Sequence, residues 1–199
     1  MRFHKFISTI LHPIVVPTVG VMLYFLISKN TYLSHQKFTV LSVVFIFTYL
    51  VPLLILILFK KLRIIKSYRT ESIRERKIPI ALMIILFYLM GNTMNSASNL
   101  KDLGLLFYAT SAGLLIIYGL FFFYIKASIH LLSLGIAGGF FMILGNNYSQ
   151  SYLLVIIIIF LLSGLLASAR LHLKAHTTRE IYIGFFIGLA TPILLNFLL

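Results

Sequence analysis

Residues 152–199 read YLLVIIIIFLLSGLLASARLHLKAHTTREIYIGFFIGLATPILLNFLL. An apolar run from 152 to 169 gives way to a short cluster of cations, imidazoles and one carboxylate, Arg170 to Glu180, and a second apolar run fills 181 to 199. Neither run alternates as a lipid-facing barrel strand would, and each comes near the ~20 residues a helix needs to cross ~30 Å of hydrocarbon. Backbone polar groups in lipid have to be paired within their own segment, so such runs are helices. The stretch therefore reads as two transmembrane helices joined by a charged turn at the membrane surface.

The same reading extends outward to 10–27, 38–59, 78–95, 103–124 and 129–146. With 60% hydrophobic and only 11% charged residues, and a mean hydropathy of +1.04, the chain is too apolar for a soluble domain. We expect an all-α fold: one integral domain over 1–199, a polytopic transmembrane helical bundle with six or seven spans. Arg2 and Lys5 precede the first run, which continues past signal-peptide length without a small-residue cleavage site, so it is expected to stay as an anchor. The absence of Cys excludes disulfides, thiolate nucleophiles and Cys-ligated zinc. Pro13, Pro17, Pro52 and Pro192 are expected to kink spans, and Gly135, Gly138 and Gly139 to permit close helix approach.

A net charge of +13 would suit nucleic acid, but much of it lies in one linker between Lys60 and Lys77, where a hydrophobic protein meets anionic headgroups or marks its cytoplasmic side. No nucleic-acid partner is expected. Alternating seven spans puts the N-terminus, this linker, the segment 126–130 and the segment 170–180 on one face. Only Lys29, Lys37 and Lys101 of the 17 Lys and Arg residues fall on the other, against 14 on the first. The bias predicts that the crowded face is cytoplasmic, in a bacterial-type inner (plasma) membrane. Asn92, Asn95, Asn146 and Asn147 belong to the opposite face.

In chain order, the crowded face carries Arg69 and Arg76, then Lys126, Ser128 and His130, then Arg170, His176 and Glu180. Guanidinium forks suit phosphate oxygens, and Lys adds a point charge. Two imidazoles can divide a phosphoryl transfer, one attacking phosphorus while the other protonates the leaving oxygen. His176 and Glu180 are four apart, which makes them neighbours if a helix begins there.

This pattern resembles the type 2 phosphatidic acid phosphatase (lipid phosphate phosphatase) superfamily, whose motifs read Lys-x6-Arg-Pro, Pro-Ser-Gly-His and Ser-Arg-x5-His-x3-Asp. The third becomes Ala169-Arg170, His176 and Glu180, followed by Gly184; the second becomes Ala127-Ser128-Ile129-His130; the first becomes Arg69 and Arg76 with Pro79 displaced by two positions. Residues 69–184 are covered. Arg69 stands for Lys, Glu180 for Asp, Ala169 for Ser, and Ala127 and Ile129 for Pro and Gly, so every exchange that touches charge keeps its sign.

What the resemblance implies is a metal-independent phosphatase with no cofactor, hydrolysing a lipid phosphomonoester or pyrophosphate through a phosphohistidine. By position, His176 would be the nucleophile, Glu180 its orienting partner and His130 the general acid. Arg69, Arg76, Ser128 and Arg170 would be phosphate ligands, with Lys77 and Lys126 as additional cations. The partners would be the lipid phosphate substrate and the surrounding membrane lipids; the oligomeric state is left open. The alternative is a non-catalytic membrane protein that binds or moves anionic lipids with a degenerate form of this site. Taken alone, Ser128 would be an N-cap and Glu180 a helix-start carboxylate. His172, His176 and Glu180 recur every four residues, but i and i+8 lie ~12 Å apart along a helix, too far for one metal set.

Overall fold

The computed structural model describes residues 2–28, 32–65 and 72–198. Among these there is no strand, and the helices are α1 (Arg2–Ile10), α2 (Val16–Ile27), α3 (Ser34–Lys61), α4 (Ile73–Asn95), α5 (Lys101–Leu120), α6 (Ile129–Tyr148), α7 (Leu153–His172) and α8 (Thr178–Leu198). The six from α3 to α8 are long and apolar enough to cross a membrane. The protein is an all-α, polytopic transmembrane bundle.

The first apolar run does not make one span over 10–27. It breaks at residues 11–15, beside Pro13 and Pro17, whose missing amides cannot continue a helix. Pro17 instead sits in the first turn of α2, where no amide is needed. Helix α1 is amphipathic: Phe3, Phe6 and Ile10 are exposed, while Ser8 is buried and Ile7 and Leu11 pack onto a cluster of Leu131, Leu134, Leu166 and Ile181. At ~1.5 Å per residue, α2 is ~18 Å long, short of the hydrocarbon depth. It nevertheless joins the two ends of the bundle. The His12 ring before it meets His130 at the start of α6, and its Tyr24 hydroxyl donates to Asp102 at the start of α5 at 2.8 Å.

Pro52 leaves its mark inside α3. The five residues Ile46–Leu50 form a π turn just before it, because Pro52 has no amide for the Thr48 carbonyl and its ring needs the wider turn. Thr48 is buried there, and its hydroxyl pairs with that of Thr18 on α2 at 3.1 Å.

Helix α6 is the centre of the bundle: 67% of its apolar window is buried, against 22% for α3 and for α7. Phe107, Phe140, Phe141 and Leu132 form the deepest part of the core around it. Its closest neighbour is α8, which runs parallel to it. Gly135 and Gly139 on α6, and Gly184 and Gly188 on α8, are each four residues apart and so share a face. A Cβ on Gly188 would strike the Leu132 carbonyl oxygen; one on Gly135, that of Phe185; one on Gly139, that of Leu189; one on Gly184, that of Ser128. Two backbones thus lie in direct contact over about three turns. Since lipid tails are as apolar as Leu, such close packing, rather than burial from water, holds membrane helices together.

The far end is fastened by hydrogen bonds. Asp102 accepts from Tyr24 and from Tyr148 at 2.9 Å, joining α2, α5 and α6, and Asn147 donates to Asn196 at 2.9 Å, joining α6 and α8.

Gly188→Val should therefore unfold the protein at a distinctly lower temperature in detergent, by the ~1–3 kcal/mol typical of overpacking. Gly164 has open space around its Cα, so Gly164→Ala should leave the melting curve in place or raise it slightly. Equal melting temperatures for the two variants would remove the glycine seam as a stabilising contact.

Candidate functional site

The charged turn between α7 and α8 is built from the end of one helix and the cap of the next. Helix α7 stops at His172, and Lys174 takes the left-handed conformation, φ 51°, which lets the Lys174 and Ala175 amides donate back to the Leu171 and Arg170 carbonyls. The Thr177 hydroxyl then accepts from the Glu180 amide at 3.3 Å and caps α8. His176 is consequently in the turn, just ahead of the helix, and not on its first turn as the spacing suggested. The contact survives: His176 Nδ1 lies 2.6 Å from Glu180 Oε2. A carboxylate can only accept, so Nδ1 carries the hydrogen and Nε2 keeps its lone pair, with no hydrogen-bond partner among the described residues.

The second segment docks directly onto the third. Ser128 is fully buried, its amide donates to the Glu180 carbonyl at 3.0 Å, and its own carbonyl rests on Gly184. It holds the N-cap position of α6 but makes no side-chain cap, and its Oγ is buried without a hydrogen-bond partner among the described residues. The N-cap expectation thus holds for the position and fails for the hydroxyl. Two residues on, His130 buries Nε2, likewise without a hydrogen-bond partner among the described residues, within electrostatic reach of Arg170, His12 and His176.

Arg170, at the end of α7, donates from Nη1 to the Ser8 hydroxyl at 2.8 Å. Arg76, on the first turn of α4, is close enough to interact with both His176 and Glu180. The structure therefore brings Arg76, Ser128, His130, Arg170, His176 and Glu180 to one place. Lys77 is directed elsewhere, its Nζ 5.4 Å from the Phe122 ring centroid, and Lys126 sits half-buried on the connection between α5 and α6. Arg69 lies outside the described residues. His172 meets the His4 ring at 4.1 Å, tilted by 30°, and no group of three His, Asp or Glu among the described residues could share a metal ion.

Two side chains of this site escaped the sequence reading: Ser8 and His12, both supplied by the N-terminal segment that reads as a plain anchor. The available signal was weak, a lone imidazole before Pro13 inside an apolar run.

Helices α4, α6 and α8 all begin at this end, so three helix N-termini add partial positive charge to the two arginines. The net field favours an anion. Burial pushes the His176 pKa below the usual 6.5; the Glu180 hydrogen bond pulls it back up, and Arg170 and Arg76 reinforce the downward push. The balance favours the neutral imidazole.

No protein-family model, curated protein or solved structure matches the chain.

Because the folded His176 binds its proton less readily than the unfolded chain, its contribution to stability is full above pH 6.5 and is lost as pH falls through the lower folded value. An NMR titration of labelled histidine should give His176 a midpoint under 6.5. In Glu180→Gln the support from the carboxylate is gone and the midpoint should fall further; a rise would mean that Glu180 does not hold this ring.

Proposed function

We propose that the protein is a membrane-embedded lipid phosphate phosphatase, a divergent relative of the type 2 phosphatidic acid phosphatases, acting through a phosphohistidine. The observation that carries this reading is the His176–Glu180 pair at 2.6 Å beside the buried Ser128 Oγ and His130 Nε2, neither with a hydrogen-bond partner among the described residues. A buried polar atom left without a partner costs roughly 1–3 kcal/mol. Two of them facing a pair of arginines and three helix N-termini are explained if a phosphoryl group supplies the missing bonds.

The chemistry follows from the placement. Arg76 and Arg170, with Ser128 and the Arg69 of the neighbouring linker, take the phosphoryl oxygens and offset the charge that accumulates in the transition state. His176 Nε2 attacks phosphorus as the bond to the leaving oxygen breaks, and His130 gives its proton to that oxygen. Glu180 stabilises the cationic ring. Water then attacks the phosphohistidine, His130 takes the water proton, and inorganic phosphate leaves with the His176 ring restored.

The exposed apolar helices around the site let a substrate with acyl chains reach it from the bilayer. The distribution of cations supports a cytoplasmic site in a bacterial-type inner membrane.

Purified protein should release phosphate from phosphatidic acid or a lipid pyrophosphate, and His176→Ala should abolish release while phosphate still binds. His130→Ala should slow turnover by about 10²–10⁴-fold, most for poor leaving groups. Full activity in the His176 variant would defeat the mechanism. Since the chain has no Cys, Asn146→Cys and Ala175→Cys, both at exposed positions, report sidedness. An impermeant thiol reagent on intact cells should label the first and spare the second; the reverse pattern would put the site outside.

A further inference from the structure

The N-terminal segment does more than anchor the chain. Its His12 ring lies 4.9 Å from His130, nearly perpendicular at 80°, in an edge-to-face contact. His12 Nδ1 accepts from the Ile14 amide at 3.3 Å, which fixes its hydrogen on Nε2. Adding a proton to Nδ1 would break that bond, so the bond favours the neutral His12 ring. Arg170 bears on both rings and His176 on His130, so a second cation in the pair would sit among like charges. Ser8, on the same segment, engages Arg170.

We propose that His12 is a positioning residue for His130: its ring, packed edge-to-face, sets the plane of the His130 imidazole and so aims its ring nitrogen at the leaving oxygen. This rests on the phosphatase reading for its catalytic meaning, but the coupling of the two rings does not depend on turnover. His12 need not touch substrate. Its effect should appear only where the acid is needed.

The experiment compares His12→Ala, which deletes the ring, with His12→Phe, which keeps an aromatic face against His130 but cannot titrate. Turnover is measured on short-chain phosphatidic acid, whose alkoxide leaves poorly, and on p-nitrophenyl phosphate, whose phenolate leaves without help. His12→Ala should lower kcat about 10-fold on the first and little on the second, with KM nearly unchanged. His12→Phe should recover most of that loss. In parallel, the His130 titration followed by 15N NMR should shift in His12→Ala and return towards the parent in His12→Phe, whereas His4→Ala, at the outer end of α1, should leave it in place. An unchanged ratio between the two substrates together with an unmoved His130 titration overturns the proposal. If the parent hydrolyses neither substrate, the phosphatase reading fails, and the titration alone decides whether His12 governs His130.

Discussion

Direct backbone contact between α6 and α8 is the constraint on which the other features hang. The four glycines of that seam bring the two helices together in parallel, so both N-termini open at the same end of the bundle. Gly184 is its last contact at that end, and the atom it admits is the carbonyl of Ser128. The packing that holds the centre of the bundle thus also presses the second polar segment against the third, and sets Ser128 and His130 beside Glu180 and His176. A larger residue at Gly184 would part the site as well as the helices.

The two ends of the bundle are secured by different means. At the far end Asp102 is clamped by two tyrosine hydroxyls, which fixes α2, α5 and α6 to one another. The site end relies instead on glycine contact, on the Ser8–Arg170 bond and on ring contacts between histidines. It keeps the buried Ser128 hydroxyl and His130 Nε2 without hydrogen-bond partners among the described residues. Protein interiors rarely tolerate such atoms, and functional sites are where they persist.

Much of this was legible in the chain. The six long apolar helices follow from run length alone, since the bilayer fixes how long a spanning helix has to be. The i, i+4 spacing found the His176–Glu180 pair, although the pair bridges a turn and a helix start. What the pattern could not show was how the first apolar run divides, because a proline such as Pro13 can either kink a helix or end it, and spacing does not say which. Gly188 was likewise not singled out: an isolated glycine gains meaning only once its partner carbonyl is known. Ser8 and His12 were hidden for the same reason, being ordinary residues of an anchor until the fold delivers them to Arg170 and His130.

The placement of the few carboxylates has a consequence for how the protein lives in its membrane. Among the described residues the acids are Glu75, Asp102 and Glu180; Asp102 is held by tyrosines and Glu180 by an imidazole, while Glu75 sits half-buried on the first turn of α4. A chain of net charge +13 therefore has almost no internal counterions for its surface cations. The bilayer has to lend them, through anionic headgroups gathered around the basic end. Lipid composition then becomes part of the folded state, and a neutral detergent that strips those headgroups leaves the cations to repel one another.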